Sequence, residues 1–91
     1  MPIARRFLIS GIVQGVGYRY FALRAAKRHG IVGYVRNLHD GRVEVVAEGE
    51  PEAMEAFKRE LYRGPAAARV THVVEEVLEP TGRFHHFGVA D

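Results

Sequence analysis

The order in which two hydrophobic periodicities follow each other limits the possible folds of this chain more than any other feature. Residues 5–13 alternate between two faces, which is typical of a strand with one buried face. From Tyr18 onward, apolar residues recur three and four positions apart, which is typical of an amphipathic helix, and Gly30 is expected to end it. Two glycines within residues 14–17 mark the change of period. The chain therefore begins with a strand that leads directly into a helix.

The rest of the chain repeats both periodicities. In chain order it predicts two strands, a helix, a strand and a short edge strand: 31–38, 42–48, 51–63, 70–78 and 84–89. The His-Asp-Gly sequence at 39–41 is a tight-turn signal that joins the first two of these strands into a hairpin. Pro51 stands where a helix tolerates proline best, and Gly64 is expected to end that helix.

The resulting order, β-α-β-β-α-β, predicts an α+β fold of the ferredoxin-like, split βαβ type. In this fold one antiparallel four-stranded sheet carries two helices on one face, and residues 84–89 would add a fifth short edge strand. Ninety-one residues are enough for one modest core, and the chain contains no linker-like or low-complexity segment. Residues 1–91 are therefore predicted to form a single domain.

The composition excludes several classes of protein and site. The chain has no cysteine, so disulfides, thiolate zinc sites and cysteine nucleophiles are ruled out. No stretch is long and apolar enough for a membrane span, and the N-terminal region lacks the features of a signal peptide, so a cytoplasmic protein without membrane contact is expected. Gln14 and Asn37 are the only side-chain amides, and this scarcity of thermolabile residues favours a thermostable protein.

Charge and histidine placement argue against nucleic-acid and metal partners. The net charge is +2, and the arginines are interleaved with glutamates, which indicates surface ion pairs more than a nucleic-acid stripe. None of the five histidines is paired at helical i, i+4 spacing, and the adjacent His85 and His86 would point to opposite faces of an extended strand. We therefore expect no metal and no cofactor.

The junction between the first strand and the first helix is the candidate binding site. In residues 11–19, glycines relax the backbone where a helix begins, so that successive backbone N–H groups can point into one concavity beside the positive end of the helix. A phosphate-sized anion suits such a turn, and Arg19 would add a planar fork of donors. The alternative is an ordinary glycine-rich turn followed by a solvated arginine. Neither the P-loop nor the dinucleotide fingerprint fits these residues.

Two separated motifs resemble a known family. Gly-Ile-Val-Gln-Gly-Val-Gly-Tyr-Arg at 11–19 is similar to the acylphosphatase signature, and Gly-Tyr-Val-Arg-Asn-Leu at 33–38, followed by Asp-Gly-Arg-Val-Glu at 40–44, is similar to that family's second signature. Gly64-Pro65 and Phe87 also match, so the resemblance covers nearly the whole chain.

The resemblance implies metal-independent hydrolysis of small-molecule acyl phosphates to a carboxylate and inorganic phosphate. It implies that Arg19 and Asn37 are catalytic, Arg19 by holding the phosphate and Asn37 by orienting the attacking water. It further implies a phosphate-binding loop of six residues: Gln14, Gly15, Val16, Gly17, Tyr18 and Arg19. The C-terminus, residues 88–91, lacks the aromatic or basic ending of many relatives, which weakens the case for a terminal carboxylate at the site.

Two other functions share the predicted fold. An RNA-binding module would carry aromatic and basic residues on its central strands, and residues 33–36 match this pattern only faintly. A regulatory domain without activity would not need both Arg19 and Asn37. A monomer is favoured, and a dimer through an apolar outer sheet face that includes Leu8 and Ile12 is the alternative. Residues 48–50 are expected to be a solvated entrance to the second helix.

Overall fold

The computed structural model of the protein describes residues 1–91. It contains five strands and two helices. In chain order these are β1 (Ile3–Ile12), α1 (Tyr18–His29), β2 (Val32–Asn37), β3 (Val43–Gly49), α2 (Pro51–Arg63), β4 (Arg69–Leu78) and β5 (Phe87–Val89). The order predicted from the sequence is confirmed.

The strands form one sheet in the order β4-β1-β3-β2-β5. The first four strands pair antiparallel, as predicted, but β5 pairs parallel to β2, with Val35 opposite Val89. The sheet is therefore mixed, and the predicted strand over 84–89 is shortened to Phe87–Val89. The alternation of residues along one strand does not indicate whether its partner runs parallel or antiparallel, so the direction of β5 could not be predicted from the sequence.

Strand direction places three chain segments at one edge of the sheet. Strands β1 and β2 both run antiparallel to β3, which lies between them, so β1 and β2 point the same way. Strand β5 follows β2 in parallel. The carboxyl ends of β1, β2 and β5 therefore lie at the same edge, where α1 also begins.

One face of the sheet carries both helices and the core. The core cluster comprises sixteen buried residues: Phe7, Ile9, Val13, Tyr18, Ala22, Ala25, Ala26, Ile31, Val35, Val43, Val45, Ala47, Met54, Phe57, Leu61 and Phe87. These are the inward positions of the strands and the apolar stripes of the helices, as the two periodicities require. The ring of Phe57 on α2 packs edge-on against that of Phe87 on β5, with 5.9 Å between their centroids.

The opposite face of the sheet is less exposed to solvent than the sequence suggests. Leu8 is 7% exposed, whereas Ile12 at the end of β1 is 58% exposed. Glu48 is buried, which corrects the expected solvated position, because its carboxylate accepts hydrogen bonds from the backbone N–H groups of Thr81 and Gly82 at 2.9 and 3.1 Å. The loop between β4 and β5 therefore covers this part of the outer face.

Helix ends follow the predicted signals. Gly30 adopts a left-handed conformation at the C-terminus of α1, and Pro51 is the first residue of α2. Gly64 follows the last residue of α2, and its N–H donates to the carbonyl of Glu60. Neither helix has the length and apolar character required to cross a bilayer.

Candidate active site

A cleft of about 260 Å³ lies at the edge where α1 begins. It is lined by residues from three separate segments of the chain: Val13, Gly15, Gly17, Tyr18, Arg19, Tyr20, Asn37 and Val89. The two residues predicted to be catalytic, Arg19 and Asn37, therefore share one cavity although they belong to different elements.

The backbone of the loop after β1 presents free donors to this cleft. None of the N–H groups of residues 15–20 donates a hydrogen bond to a protein acceptor. The first intrahelical bond of α1 is donated by Phe21 to the carbonyl of Gly17, at 3.0 Å. Unpaired N–H groups at a helix start are suitable donors for an anion, and the helix dipole adds a partial positive charge there.

Two glycines give the loop its shape. Gly15 and Gly17 have φ angles of 75° and 80°, and a Cβ atom at either position would meet no neighbouring atom within 4 Å. Space is therefore available, and the requirement for glycine comes from the left-handed backbone, which other residues adopt at a cost of about 1 kcal/mol. A turn with left-handed residues can direct successive N–H groups to one side of the loop.

Gln14 holds the loop against the β2–β3 hairpin. Its Nε2 donates to the carbonyl oxygens of Leu38 and Arg42, at 2.8 and 2.9 Å. These two residues are also joined to each other, by the N–H of Leu38 and the carbonyl of Arg42 at 2.8 Å. The Gln14 side chain is thus occupied outside the cleft, and Gln14 is not among the residues that line the cleft, although it was predicted to bind the phosphate. Its amide fixes the loop relative to Asn37, the residue next to Leu38.

Tyr18 and Val16 anchor the loop to the core. The Tyr18 ring is 1% exposed, and its hydroxyl donates to the carbonyl of Leu61 on α2 at 2.5 Å. Burial raises the pKa of this phenol above its ordinary range, so Tyr18 stays protonated and keeps its role as a donor. Val16 is half-buried and packs against the core cluster. Tyr18 lines the cleft, whereas Val16 is not among the residues that line it.

Arg19 is an exposed residue in the first turn of α1, and its guanidinium forms no salt bridge or hydrogen bond with the protein. A cation at the positive end of a helix is placed against the helix dipole. The dipole therefore does not explain this position, whereas an anion bound in the cleft would.

Asn37 reaches the cleft from the end of β2. It shares the inward face of that strand with Val35, two residues earlier, and its backbone pairs with Val43. Its Oδ1 atom is buried and has no hydrogen-bond donor. A buried acceptor without a donor costs about 1–3 kcal/mol. The protein alone leaves this oxygen unsatisfied, on a residue that lines the same cavity as Arg19.

Comparison with known proteins identifies the family of this chain. The acylphosphatase family model matches residues 5–89. The chain belongs to the acylphosphatase family. An acylphosphatase of Thermus thermophilus is 53% identical over 75 residues, which cover 82% of this chain and 85% of the relative. An acylphosphatase of Thermotoga petrophila is 48% identical over 79 residues, which cover 87% of this chain and 88% of the relative.

A solved structure extends the likeness to three dimensions. The crystal structure of acylphosphatase from Bacillus subtilis superimposes with a TM-score of 0.94 at 32% identity, covering 98% of this chain and 99% of that one. The ferredoxin-like α+β fold and the resemblance seen in the two sequence motifs are therefore confirmed.

Sequence reasoning missed three residues of this acylphosphatase cleft. Val89 reaches it because β5 runs parallel to β2, which no local pattern indicated. Tyr20 is 66% exposed and lines the cleft from the first turn of α1, and Val13 lines it from the position directly after β1. Tyr20 follows Arg19 directly, so the helix start itself was the signal that could have found it. The structure contains no cluster of three or more His, Asp or Glu side chains placed to hold a metal.

Proposed function

We propose that this member of the acylphosphatase family hydrolyses acyl phosphates to a carboxylate and inorganic phosphate, in one active site within a single domain of residues 1–91. The backbone of residues 14–19 and the Arg19 guanidinium bind the phosphoryl group, and Asn37 orients the attacking water. The observation that carries this proposal is that one cleft is lined by a helix start with unpaired N–H groups, by Arg19 with its unpaired guanidinium and by Asn37, whose Oδ1 has no donor.

The substrate's leaving group sets a low demand on the enzyme. An acyl phosphate is a mixed anhydride, and its leaving carboxylate has a conjugate acid with a pKa near 4, by analogy with side-chain carboxyls. Such a group departs without being protonated, so the mechanism needs no general acid.

The main obstacle is the negative charge of the phosphoryl group, which repels the lone pair of an incoming water. The N–H groups of residues 15–19 and the planar fork of Arg19 offset this charge. The backbone donors are fixed before substrate arrives, because Gln14 ties the loop to the hairpin and Tyr18 ties the helix start to α2. Preorganised donors of this kind strengthen their interactions as charge develops in the transition state.

The attacking water needs alignment. The Asn37 amide can accept a hydrogen bond from water through Oδ1 and donate another through Nδ2, but it cannot take a proton at neutral pH. A positioned water reacts far faster than one that must find the correct approach, so placement alone supplies much of the acceleration.

The proton balance closes within the substrate. The water oxygen forms a bond to phosphorus as the bond from phosphorus to the carboxylate oxygen breaks. The proton released by the water passes to a phosphoryl oxygen. A dianionic acyl phosphate and water thus give a carboxylate and singly charged dihydrogen phosphate, without a metal ion.

Hydrolysis of benzoyl phosphate in the presence of EDTA tests the reaction. Turnover that is unchanged by the chelator and linear with enzyme is expected. Loss of turnover on chelation, with recovery when a divalent cation is added, would contradict the metal-independent scheme. RNA affinity without any turnover would instead favour the binding module.

Titration with inorganic phosphate, followed by ¹H–¹⁵N NMR, tests the binding site separately from catalysis. The amide signals of residues 15–19 are expected to shift most, because these N–H groups have no acceptor within the protein. Amides of the β4–β5 loop, on the opposite face of the sheet, serve as the internal control. Shifts confined to that loop would place the anion elsewhere.

We also propose a cytoplasmic, thermostable monomer that acts on a small-molecule acyl phosphate and binds neither nucleic acid nor membrane. The absence of cysteine and the scarcity of amide side chains support the first two properties. The burial of Leu8 supports the monomer, because it reduces the apolar area open on the outer sheet face. Light scattering on the purified protein and a thermal unfolding scan test the oligomeric state and the stability.

A further inference from the structure

A second cleft continues from the first along α1. It is lined by six residues: Gly17, Tyr20, Phe21, Arg24, Arg28 and Pro65. Gly17 and Tyr20 also line the first cleft, so the two cavities share a wall. A molecule whose phosphoryl group occupies the first cleft therefore has a continuous surface on which to extend.

The charge of this second cleft is positive and concentrated on one side chain. No acidic residue lines it. Arg28 is paired with Glu60, so its guanidinium is already held by a carboxylate of the protein. Arg24 is exposed and forms no salt bridge with any carboxylate of the protein. The available cation in the second cleft is thus Arg24.

Helix geometry brings Arg24 within reach of the first cleft. Gly17, Tyr20 and Arg24 lie three, four or seven positions apart and so occupy one stripe of α1. A separation of seven residues is about 10 Å along the axis. Helical side chains lean toward the N-terminus, so the long Arg24 side chain covers part of this distance in the direction of the phosphate loop.

We infer that the second cleft binds a negatively charged group on the acyl part of the substrate and that Arg24 determines this preference. The substrate class is a small acyl phosphate whose acyl chain ends in a carboxylate or a phosphate. This inference rests on the proposed function, because it assumes that the first cleft holds the phosphoryl group. It adds a specificity residue that touches the acyl end and takes no part in bond breaking.

Two substrates of equal chain length test the inference. Succinyl phosphate and butyryl phosphate have the same number of carbon atoms, but only succinyl phosphate ends in a carboxylate. The measured quantity is the ratio of their kcat/KM values, since a general loss of activity or of folded enzyme cancels in this ratio. Arg24→Gln is expected to lower the ratio of succinyl to butyryl phosphate by about threefold to fivefold, the size of one partly solvated ion pair. The change should lie in KM for succinyl phosphate.

A matched control is available on the same helix. Lys27 is exposed, forms no salt bridge and lines neither cleft. Lys27→Gln removes the same net charge from α1 and is expected to leave the ratio within about 1.5-fold of the wild-type value. Arg24→Lys restores the charge and should return most of the preference. An unchanged ratio in Arg24→Gln, or an equal fall in Lys27→Gln, would overturn the assignment.

Failure of the inference is distinguishable from failure of the proposed function. If neither substrate is hydrolysed by the wild-type protein, the reaction itself is wrong. If both are hydrolysed and their ratio does not depend on Arg24, the reaction stands and the second cleft has no role in anion specificity.

Discussion

The outer face of the sheet and the cleft beside α1 both contain arginines, but they use them differently. On the outer face, Glu44 is buried, and its carboxylate accepts hydrogen bonds from the Nε–H groups of Arg6 and Arg36 at 2.6 and 2.5 Å. Arg6 also forms a salt bridge with Glu76 at 2.8 Å. In the cleft, Arg19 has no internal partner. The guanidinium groups of the first region are matched within the protein, whereas that of the second remains open to a ligand.

This contrast shows where arginine serves stability and where it serves binding. Burial alone would raise the pKa of the Glu44 carboxyl, but hydrogen bonds from Arg6 and Arg36 outweigh burial and lower the pKa overall. In the folded protein, each guanidinium group of that cluster has a carboxylate partner. The cleft instead combines unpaired donors with the unsatisfied Oδ1 of Asn37. Changes in the cleft should therefore alter activity, and changes in the cluster should alter stability.

The largest effect is expected for Arg19→Ala. Loss of the guanidinium should lower kcat/KM for benzoyl phosphate by about a hundredfold to a thousandfold, because one preorganised charge-stabilising donor is worth that much. Inhibition by inorganic phosphate should weaken as well. Lys27→Ala, which removes a cation of the same helix outside the cleft, is the control. Steady-state assays that found the two variants equally active would show that the cation in the cleft is no more important for activity than one on the surface of the same helix.

Asn37→Ala comes next in size. It should lower kcat by about a hundredfold, since the attacking water loses its alignment. The inhibition constant for phosphate should stay within about twofold, because the donors of residues 15–19 and Arg19 remain. Thermal unfolding should occur at the same or a higher temperature, since a buried oxygen without a donor is removed. Near-normal turnover would exclude a role in orienting water.

Glu44→Gln should show the opposite pattern. The variant removes the carboxylate partner of Arg36 and one of the two carboxylate partners of Arg6. A fall of about 2 kcal/mol in the free energy of unfolding is expected, because both arginines are partly solvated. Urea unfolding measures this loss. Activity on benzoyl phosphate should remain within about twofold of the wild type, as Glu44 lies on the face away from the cleft. A hundredfold loss of activity at unchanged stability would contradict the expectation, because Glu44 would then serve activity and not stability.

Lowering the pH should also weaken the cluster around Glu44, with a smaller loss of stability than in Glu44→Gln. Because the folded-state pKa of Glu44 lies below its ordinary value of 4.5, its contribution to stability is present above that value and is lost as pH falls through the folded-state pKa. The wild type should therefore lose about 1 kcal/mol more than Glu44→Gln between pH 6 and pH 3 in urea unfolding. Parallel pH profiles of the two proteins would show that the carboxylate is not stabilised by its partners.

Most of the fold could be predicted from local patterns. The strand and helix periods, the end of α1 at Gly30 and the start of α2 at Pro51 depend on residues close in sequence, and each agrees with the structure. The direction of β5 and the burial of Glu48 could not be predicted in this way. They depend on which distant segment the chain meets, β2 in one case and the loop at Thr81 in the other.

The residues of the site also fall into those that local sequence predicts and those that depend on distant contacts. The glycines at 15 and 17, Arg19 and Asn37 were identifiable as motif residues, because their types and spacing are written in the chain. That Gln14 bonds the carbonyls of Leu38 and Arg42 was not, since its partners lie more than twenty residues away.

The sequence by itself determined the order of elements, the inward faces and the residue types in the loop between β1 and α1, because all of these follow from the identity and spacing of near neighbours along the chain. The tertiary structure decided that the ends of β1, β2 and β5 share one edge, so that Arg19, Asn37 and Val89 line one cleft. It also decided which arginines are left without a carboxylate. Both outcomes depend on strand pairing, which joins residues that the sequence separates, and a residue's partners are fixed only when the sheet has formed.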